Sequence, residues 1–143
     1  MKLAEFDFRI WSAIDNTYLH NPSLTITHFK SAVYKNAYSM EVGEVIDENK
    51  DEKEVLIGCL DNNRYKSVEI ELWSGICDKN GERVFEGDIV KNRNLDTLLC
   101  LYDSHNLRFV FKYINRKECD ICYTPMDILE IIGNIHENAE LLQ

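Results

Sequence analysis

The stretch SGICDKNGERVFEGDIVK, Ser74 to Lys91, sets turn residues and charges between short apolar pairs. Two readings compete for it: an active-site loop, or a device for folding strands back on one another. Asn80-Gly81 is the strongest local signal, because a type I′ hairpin needs positive φ at both central residues and Asn-Gly tolerates that best. Further on, Glu86-Gly87-Asp88 separates Val84-Phe85 from Ile89-Val90, which demands a second sharp bend with Gly87 in a conformation closed to most residues. Acids beside such turns ordinarily accept bonds from nearby backbone N–H groups. The stretch therefore reads as architecture, and what it joins are strands.

Working outward, extended segments separated by turn clusters dominate the chain, and no long stretch shows apolar residues at helical spacing. EFDFRIW alternates, with Phe6, Phe8 and Ile10 on one side and Asp7, Arg9 and Trp11 on the other. SLTITHF, EVLIGCL and SVEIELWS read as further strands, the last with Val68, Ile70 and Leu72 facing one way and Glu69, Glu71 and Trp73 the other. After Trp73 come short strands at Ile89 to Lys91, Leu98 to Tyr102, Leu107 to Ile114, Cys122 to Thr124 and Ile128 to Ile132, a number and size that suit a small barrel. In LRFVFKYI the face of Leu107, Phe109, Phe111 and Tyr113 is the natural core. Only the tail NIHENAELLQ looks helical, and it is too short to hold a helix without packing on something. The expected fold is mainly β, with a small barrel in the C-terminal part (residues 67–143), additional N-terminal strands (1–66) and a short C-terminal helix, all in one domain of 143 residues.

Charge narrows the function classes. Lys plus Arg total 16 against 25 Asp plus Glu, a net charge of −9, so the molecule as a whole repels phosphate backbones. A local exception is the basic run of Arg108, Lys112, Arg116 and Lys117, the candidate phosphate contacts. No apolar run of about 18 residues is present to span a membrane, and the acidic residues in MKLAEFDFRIW do not fit a signal peptide. A cytoplasmic location is expected. Five scattered cysteines, Cys59, Cys77, Cys100, Cys119 and Cys122, do not form a secreted disulfide framework.

Candidate chemistry fails on spacing. Asp47, Asn49 and Asp51 occupy the first, third and fifth places of a calcium loop, but Glu52 stands where glycine is required and Gly58 where the bidentate acid is. Cys119 and Cys122 have the spacing of half a zinc site, without a second C-x-x-C or H-x-x-x-H to complete it. His20, His28, His105 and His136 match no metal or catalytic pattern, and neither G-x-S-x-G nor a Walker glycine loop occurs. No catalytic residue, cofactor, metal ligand or small-molecule ligand is assigned. Trp11 and Trp73 stand on the strand faces opposite the more regular apolar rows and are the candidate interface residues, with burial between sheets as the alternative.

SGICDKNGERVFEGDIVK resembles the signature of the YopX family of bacteriophage and prophage proteins, T-G-x-x-D-x-N-G followed by an aromatic and E-G-D-I-V. FRIWSAIDNTYLH, Phe8 to His20, is similar to the family's F-R-A-W-D opening. LEIIGNIHENAELL, Leu129 to Leu142, is similar to its closing I-G-N-I-x-E-N-P-E-L-L. Departures are Ser74 for Thr, Ile10 for Ala, Ser12 for Asp and Ala139 for Pro. The resemblance implies a β-rich fold of SH3-like barrel character and an origin in a phage or prophage within a bacterial host. It carries no catalytic residue or cofactor across, and it marks Gly75, Asp78, Asn80, Gly81, Glu86, Gly87 and Asp88 as a structural signature. The function expected is a non-enzymatic module that binds a protein partner or itself through strand edges or an aromatic-bearing groove. A nucleic-acid-associated barrel using the basic strand is the alternative, and an enzyme built from convergent carboxylates comes third.

Overall fold

The computed structural model describes residues 6–20, 22–29, 37–45, 54–59, 68–114 and 128–143. Its regular structure is mainly β, in two compact units: one comprises Met1–Phe8 with Glu71–Gln143, the other Arg9–Ile70. The second unit is thus inserted between Phe8 and Glu71.

In the inserted unit, β1 (Phe8–Ser12) turns into the two-residue β2 (Thr17–Tyr18), with Trp11 opposite Tyr18 and Ser12 opposite Thr17. The buried Ser12 hydroxyl closes the turn, donating to Asp15 Oδ2 at 2.7 Å and accepting the Asp15 N–H at 3.2 Å. Next come β3 (Pro22–Phe29), β4 (Ala37–Val45) and β5 (Glu54–Cys59), an antiparallel meander in that order. A register shift between Val42 and Gly43 bulges β4 against β5.

The other unit holds the Ser74–Lys91 stretch. β6 (Val68–Cys77) pairs with the short β7 (Arg83–Phe85). Then β8 (Asp88–Lys91), β9 (Thr97–Asp103) and β10 (Arg108–Tyr113) run as an antiparallel meander, and β11 (Glu130–Asn134) returns to lie beside β8, giving the order β10-β9-β8-β11. Val84, Val90, Leu98, Cys100, Phe111 and Leu129 form the buried core, with Ile76, Phe109, Tyr113 and Ile131 packed on it. Period-two alternation on β10 turns Phe109, Phe111 and Tyr113 inward as expected, and burying Phe111 completely contributes about 1.5–3 kcal/mol. Leu107, expected on the same face, instead precedes the strand and is 75 % exposed. Val110, on the opposite face of β10, is also buried, as is Ile89 on β8. Both faces of the central strands are therefore enclosed, a pattern that strict alternation with polar residues conceals.

Two expectations are corrected. The hairpin tip at Asn80-Gly81 is not type I′: Gly81 has φ +87 but Asn80 is not among the residues with positive φ. The Asp78 N–H bonds Glu82 O at 2.7 Å and the Gly81 N–H bonds Asp78 O at 3.1 Å. This is a three-residue loop, a type I turn followed by one left-handed residue. The tail is not an α-helix but one 3-10 turn, Ala139–Leu142, in which Leu141 N–H bonds Asn138 O at 3.0 Å. Arg116, Lys117, Cys119, Cys122 and the strand expected over 122–124 lie outside the described residues, as do residues 46–53, which include Asp47, Asn49 and Asp51.

The same three-residue loop recurs between β8 and β9. The Asn92 N–H bonds Asp96 O at 3.1 Å, the Leu95 N–H bonds Asn92 O at 3.0 Å, and Leu95 has φ +63 where the first loop has Gly81. Left-handed backbone costs an L-residue about 1–2 kcal/mol, and the Leu95 side chain, 76 % exposed, recovers little by burial. Leu95→Gly is therefore expected to stabilise the protein by about 1 kcal/mol, whereas Gly81→Leu at the equivalent position destabilises it by a similar amount. Thermal denaturation of the two variants checks the opposite signs.

Candidate functional site

Three separated pieces of sequence meet around one bend. The first is the β6–β7 tip. Asp78, buried at its base, accepts at Oδ1 from the N–H groups of Asn80 (2.7 Å) and Glu82 (3.0 Å), and at Oδ2 from the Asn80 amide (3.2 Å) and the N–H of Ile131 on β11 (3.4 Å). The Lys79 N–H adds a bond to Leu129 O at 2.8 Å. Asp78 thus both shapes the tip and docks it on β11. Burial pushes its carboxyl up from the ordinary 3.8, but the bonds from Asn80, Glu82 and Ile131 outweigh that and leave it lowered. Behind the tip, Gly75 supplies φ +85 in the β6–β7 irregularity, where the Ser74 hydroxyl donates to Val84 O at 2.7 Å.

The second piece is Glu86-Gly87-Asp88. The Glu86 N–H bonds Leu72 O at 3.0 Å, the Gly87 N–H bonds Cys100 O at 2.9 Å, and Gly87 O accepts the Ile135 N–H at 2.9 Å. Asp88, buried, holds the bend by accepting the Phe85 N–H at 2.8 Å. Gly87 has φ +82, and a Cβ there would lie 2.7 Å from Glu71 Oε1. Any side chain at position 87 therefore has to displace that carboxylate and adopt a left-handed backbone.

The third piece is the turn after β11. Asn134 Oδ1 accepts the N–H groups of His136 and Glu137, each at 3.0 Å, while its amide donates to Glu137 Oε2 at 2.6 Å. Asn138 Oδ1 returns a bond from the Asn134 N–H at 3.2 Å, and a Cβ on Gly133 would stand 2.4 Å from that oxygen. Gly133, Asn134, Glu137 and Asn138 of G-N-I-x-E-N thus each have a local steric or bonding reason. The unfixed one, His136, reaches Glu71 of β6, Nε2 to Oε1 at 2.9 Å, with both side chains largely enclosed.

Glu71 and His136 are the pair that sequence reading misses. Alternation puts Glu71 with Glu69 and Trp73 on the face opposite Val68, Ile70 and Leu72, but it is only 3 % exposed. Its partner lies 65 positions away, so neither spacing nor alternation signals it. Glu71 and His136 bond each other beside Gly87, while the neighbouring Asp88 bonds backbone, so the arrangement fastens strands together.

The remaining candidates do not join it. Trp11 is 3 % exposed and meets Tyr18 edge-on at 5.0 Å, with the Arg9 guanidinium 4.5 Å over the Tyr18 ring. So enclosed a ring is not offered at a surface. Trp73 is half-buried, its indole N–H bonded to Ile76 O at 3.0 Å and its face covered by Arg83 at 4.8 Å, which in turn pairs with Asp7. Arg108 and Lys112 share a face of β10, but Asp103 sits 4.0 Å from the Arg108 guanidinium. The Asn106 amide foremost, then the N–H groups of Asn106 and His105 and the Arg108 charge, hold the Asp103 carboxyl below its ordinary value. Cys77 and Cys100 are free thiols, the first exposed and the second in the core. Among the described residues no group of three His, Cys, Asp or Glu is placed to hold a metal ion, and no helix is long and apolar enough to cross a membrane.

A family model described as YopX protein matches residues 7–143. The crystal structure of protein EF1440 from Enterococcus faecalis is similar in fold, with a TM-score of 0.53 and 22 % identity, covering 96 % of this chain and 98 % of that one. At that identity the likeness bears on the fold alone. No curated protein sequence matches the chain.

Gly87→Ala is expected to cost at least about 2 kcal/mol, from backbone strain and the displaced Glu71 carboxylate. Because the second component disappears with its side chain, the double variant with Glu71→Ala costs less than the two single losses added, measurable by urea denaturation. Asp78 has a lowered folded-state pKa, so its stabilisation is fully present above the ordinary 3.8 and is lost as pH falls through the folded value. Asp78→Asn should be less stable at neutral pH and should flatten the stability profile below about pH 4.

Proposed function

The chain belongs to the YopX family, and from that premise we propose that it is a non-enzymatic phage or prophage protein that binds a protein partner or a second copy of itself. The proposal places it in the cytoplasm of a bacterial host. It also reads β7 to β11 as a small SH3-like barrel, supported by the β8–β9–β10 meander and the return of β11 beside β8. The observation that carries the binding reading is the pair of leucines at hairpin tips. Leu95 and Leu107 are 76 % and 75 % exposed and both adopt positive φ, +63 and +52. Each combines backbone strain with an apolar side chain in water, two costs that a contact outside this fold would offset. The polar groups of the signature, by contrast, are engaged within the fold.

The nucleic-acid alternative draws on Lys112 and the half-exposed Arg108 of β10, against which stand Asp103 and a net charge of −9. An enzymatic reading draws on Glu71 and His136, whose bond to each other supports a structural role equally well.

Light scattering of the purified protein, and capture from host lysate during phage infection, test the proposal. Leu95→Ser and Leu107→Ser should weaken self-association or partner capture by roughly tenfold each without lowering thermal stability. Retention of binding in the double variant sinks the tip assignment. If duplex or single-stranded DNA binds instead, with an affinity that falls as salt rises and is lost in Lys112→Ala, the alternative replaces it.

A further inference from the structure

Asn-Gly is chemically the most fragile peptide link in proteins, because an unhindered glycine nitrogen can attack the preceding side-chain amide; Asn is accordingly counted among thermolabile residues. Here Asn80 and Gly81 are both exposed at the β6–β7 tip, open to water and base. The atoms that would react are nevertheless all held. The nucleophile, Gly81 N, donates its hydrogen to Asp78 O at 3.1 Å. The leaving group, Asn80 Nδ2, donates to Asp78 Oδ2 at 3.2 Å, and the Asn80 N–H is fixed to Asp78 Oδ1 at 2.7 Å.

We propose that Asp78 is a protecting residue for the Asn80-Gly81 link, a latent deamidation site whose chemistry proceeds only when the tip leaves its place on β11. In the reaction, base removes the Gly81 amide proton, the nitrogen bonds to Asn80 Cγ, and the Cγ–Nδ2 bond breaks as ammonia leaves with a proton from solvent. Water then opens the five-membered imide at either carbonyl, leaving aspartate or isoaspartate at position 80. No oxidant, reductant or cofactor enters.

Two features make the step matter here. Asp78 Oδ2 also accepts the Ile131 N–H, and Lys79 N–H bonds Leu129 O, so the groups that guard Asn80 are the groups that dock the tip. The product places a second carboxylate where the Asn80 amide now donates to Asp78, and isoaspartate lengthens the backbone of a loop that has room for three residues. Like charge then replaces a hydrogen bond at the docking residue, and the tip cannot reclose as before. Deamidation at position 80 would thus record, irreversibly, any loss of the contact between this hairpin and β11.

The test is peptide mass spectrometry of the intact protein aged in mildly alkaline buffer at physiological temperature, with urea-unfolded wild type as the unprotected reference. Folded wild type should convert at position 80 more slowly than the reference by roughly tenfold or more. Asp78→Asn, checked as folded by circular dichroism, should recover most of that rate. Phe111→Leu, which loosens the core without touching the tip, supplies a control of reduced global stability. Conversion of folded wild type at the unfolded rate overturns the proposal. So does an Asp78→Asn rate no faster than that of Phe111→Leu, since protection would then belong to the whole fold rather than to Asp78.

Discussion

The unit that contains the signature depends on the absence of one carbon atom. At Gly87 the space a Cβ would take is occupied by the Glu71 carboxylate, which is bonded to His136. The Gly87 backbone is at the same time bonded on both sides, to Cys100 of β9 through its N–H and to Ile135 after β11 through its carbonyl. β6, the β7–β8 bend, β9 and the turn after β11 are therefore tied at one point. Burying a carboxylate is unfavourable unless it is paired and hydrogen-bonded. The His136 contact meets that condition, and it leaves the carboxylate where a Cβ at position 87 would push it aside.

The turns repeat a second idea at smaller scale. Asp78, Asn92, Asp103 and Asn134 each accept at a side-chain oxygen the N–H groups of residues two to four positions on. Such short acceptors replace the bonds that a strand ladder cannot supply where the chain reverses. At these reversals the acid and amide oxygens are directed chiefly at backbone N–H groups, with Asp103 also facing Arg108. Gly81 and Leu95 occupy the same place in two such loops, with φ +87 and +63, and only the leucine adopts it against its own backbone preference.

How much of this was legible in the sequence follows from the range of the interactions involved. β8, β9, β10 and β11 could be located because alternation is local, and Phe111 could be placed in the core for the same reason. Gly87 could be marked as special because Glu86-Gly87-Asp88 interrupts two apolar pairs and a sharp bend is needed there. Its actual reason, the Glu71 carboxylate, could not, because Glu71 looks like any polar residue facing away from a strand's apolar side. The Asn80-Gly81 dipeptide signals a hairpin but not its turn type, since the dipeptide rule ignores the Asp78 side chain two residues earlier. Trp11 is ambiguous in the sequence, and Val110 falls on the face opposite the apolar row of its strand, for one shared reason: such a residue is exposed only if nothing covers that second face, and coverage is a tertiary fact.

A signature explained this fully by packing and backbone bonding places constraints on where specificity resides. Gly75, Asp78, Gly81, Gly87, Asp88, Gly133, Asn134 and Asn138 are held by steric or hydrogen-bond requirements inside the fold, so changing any of them alters stability before it alters recognition. The hairpin tips are under the opposite regime. Leu95 and Leu107 can change with little effect on the core, and by backbone preference alone both positions would favour glycine or asparagine. A leucine in such a place is opposed by its own conformational energy. The proposed binding role accounts for that cost, and it assigns recognition to residues the shared signature does not name.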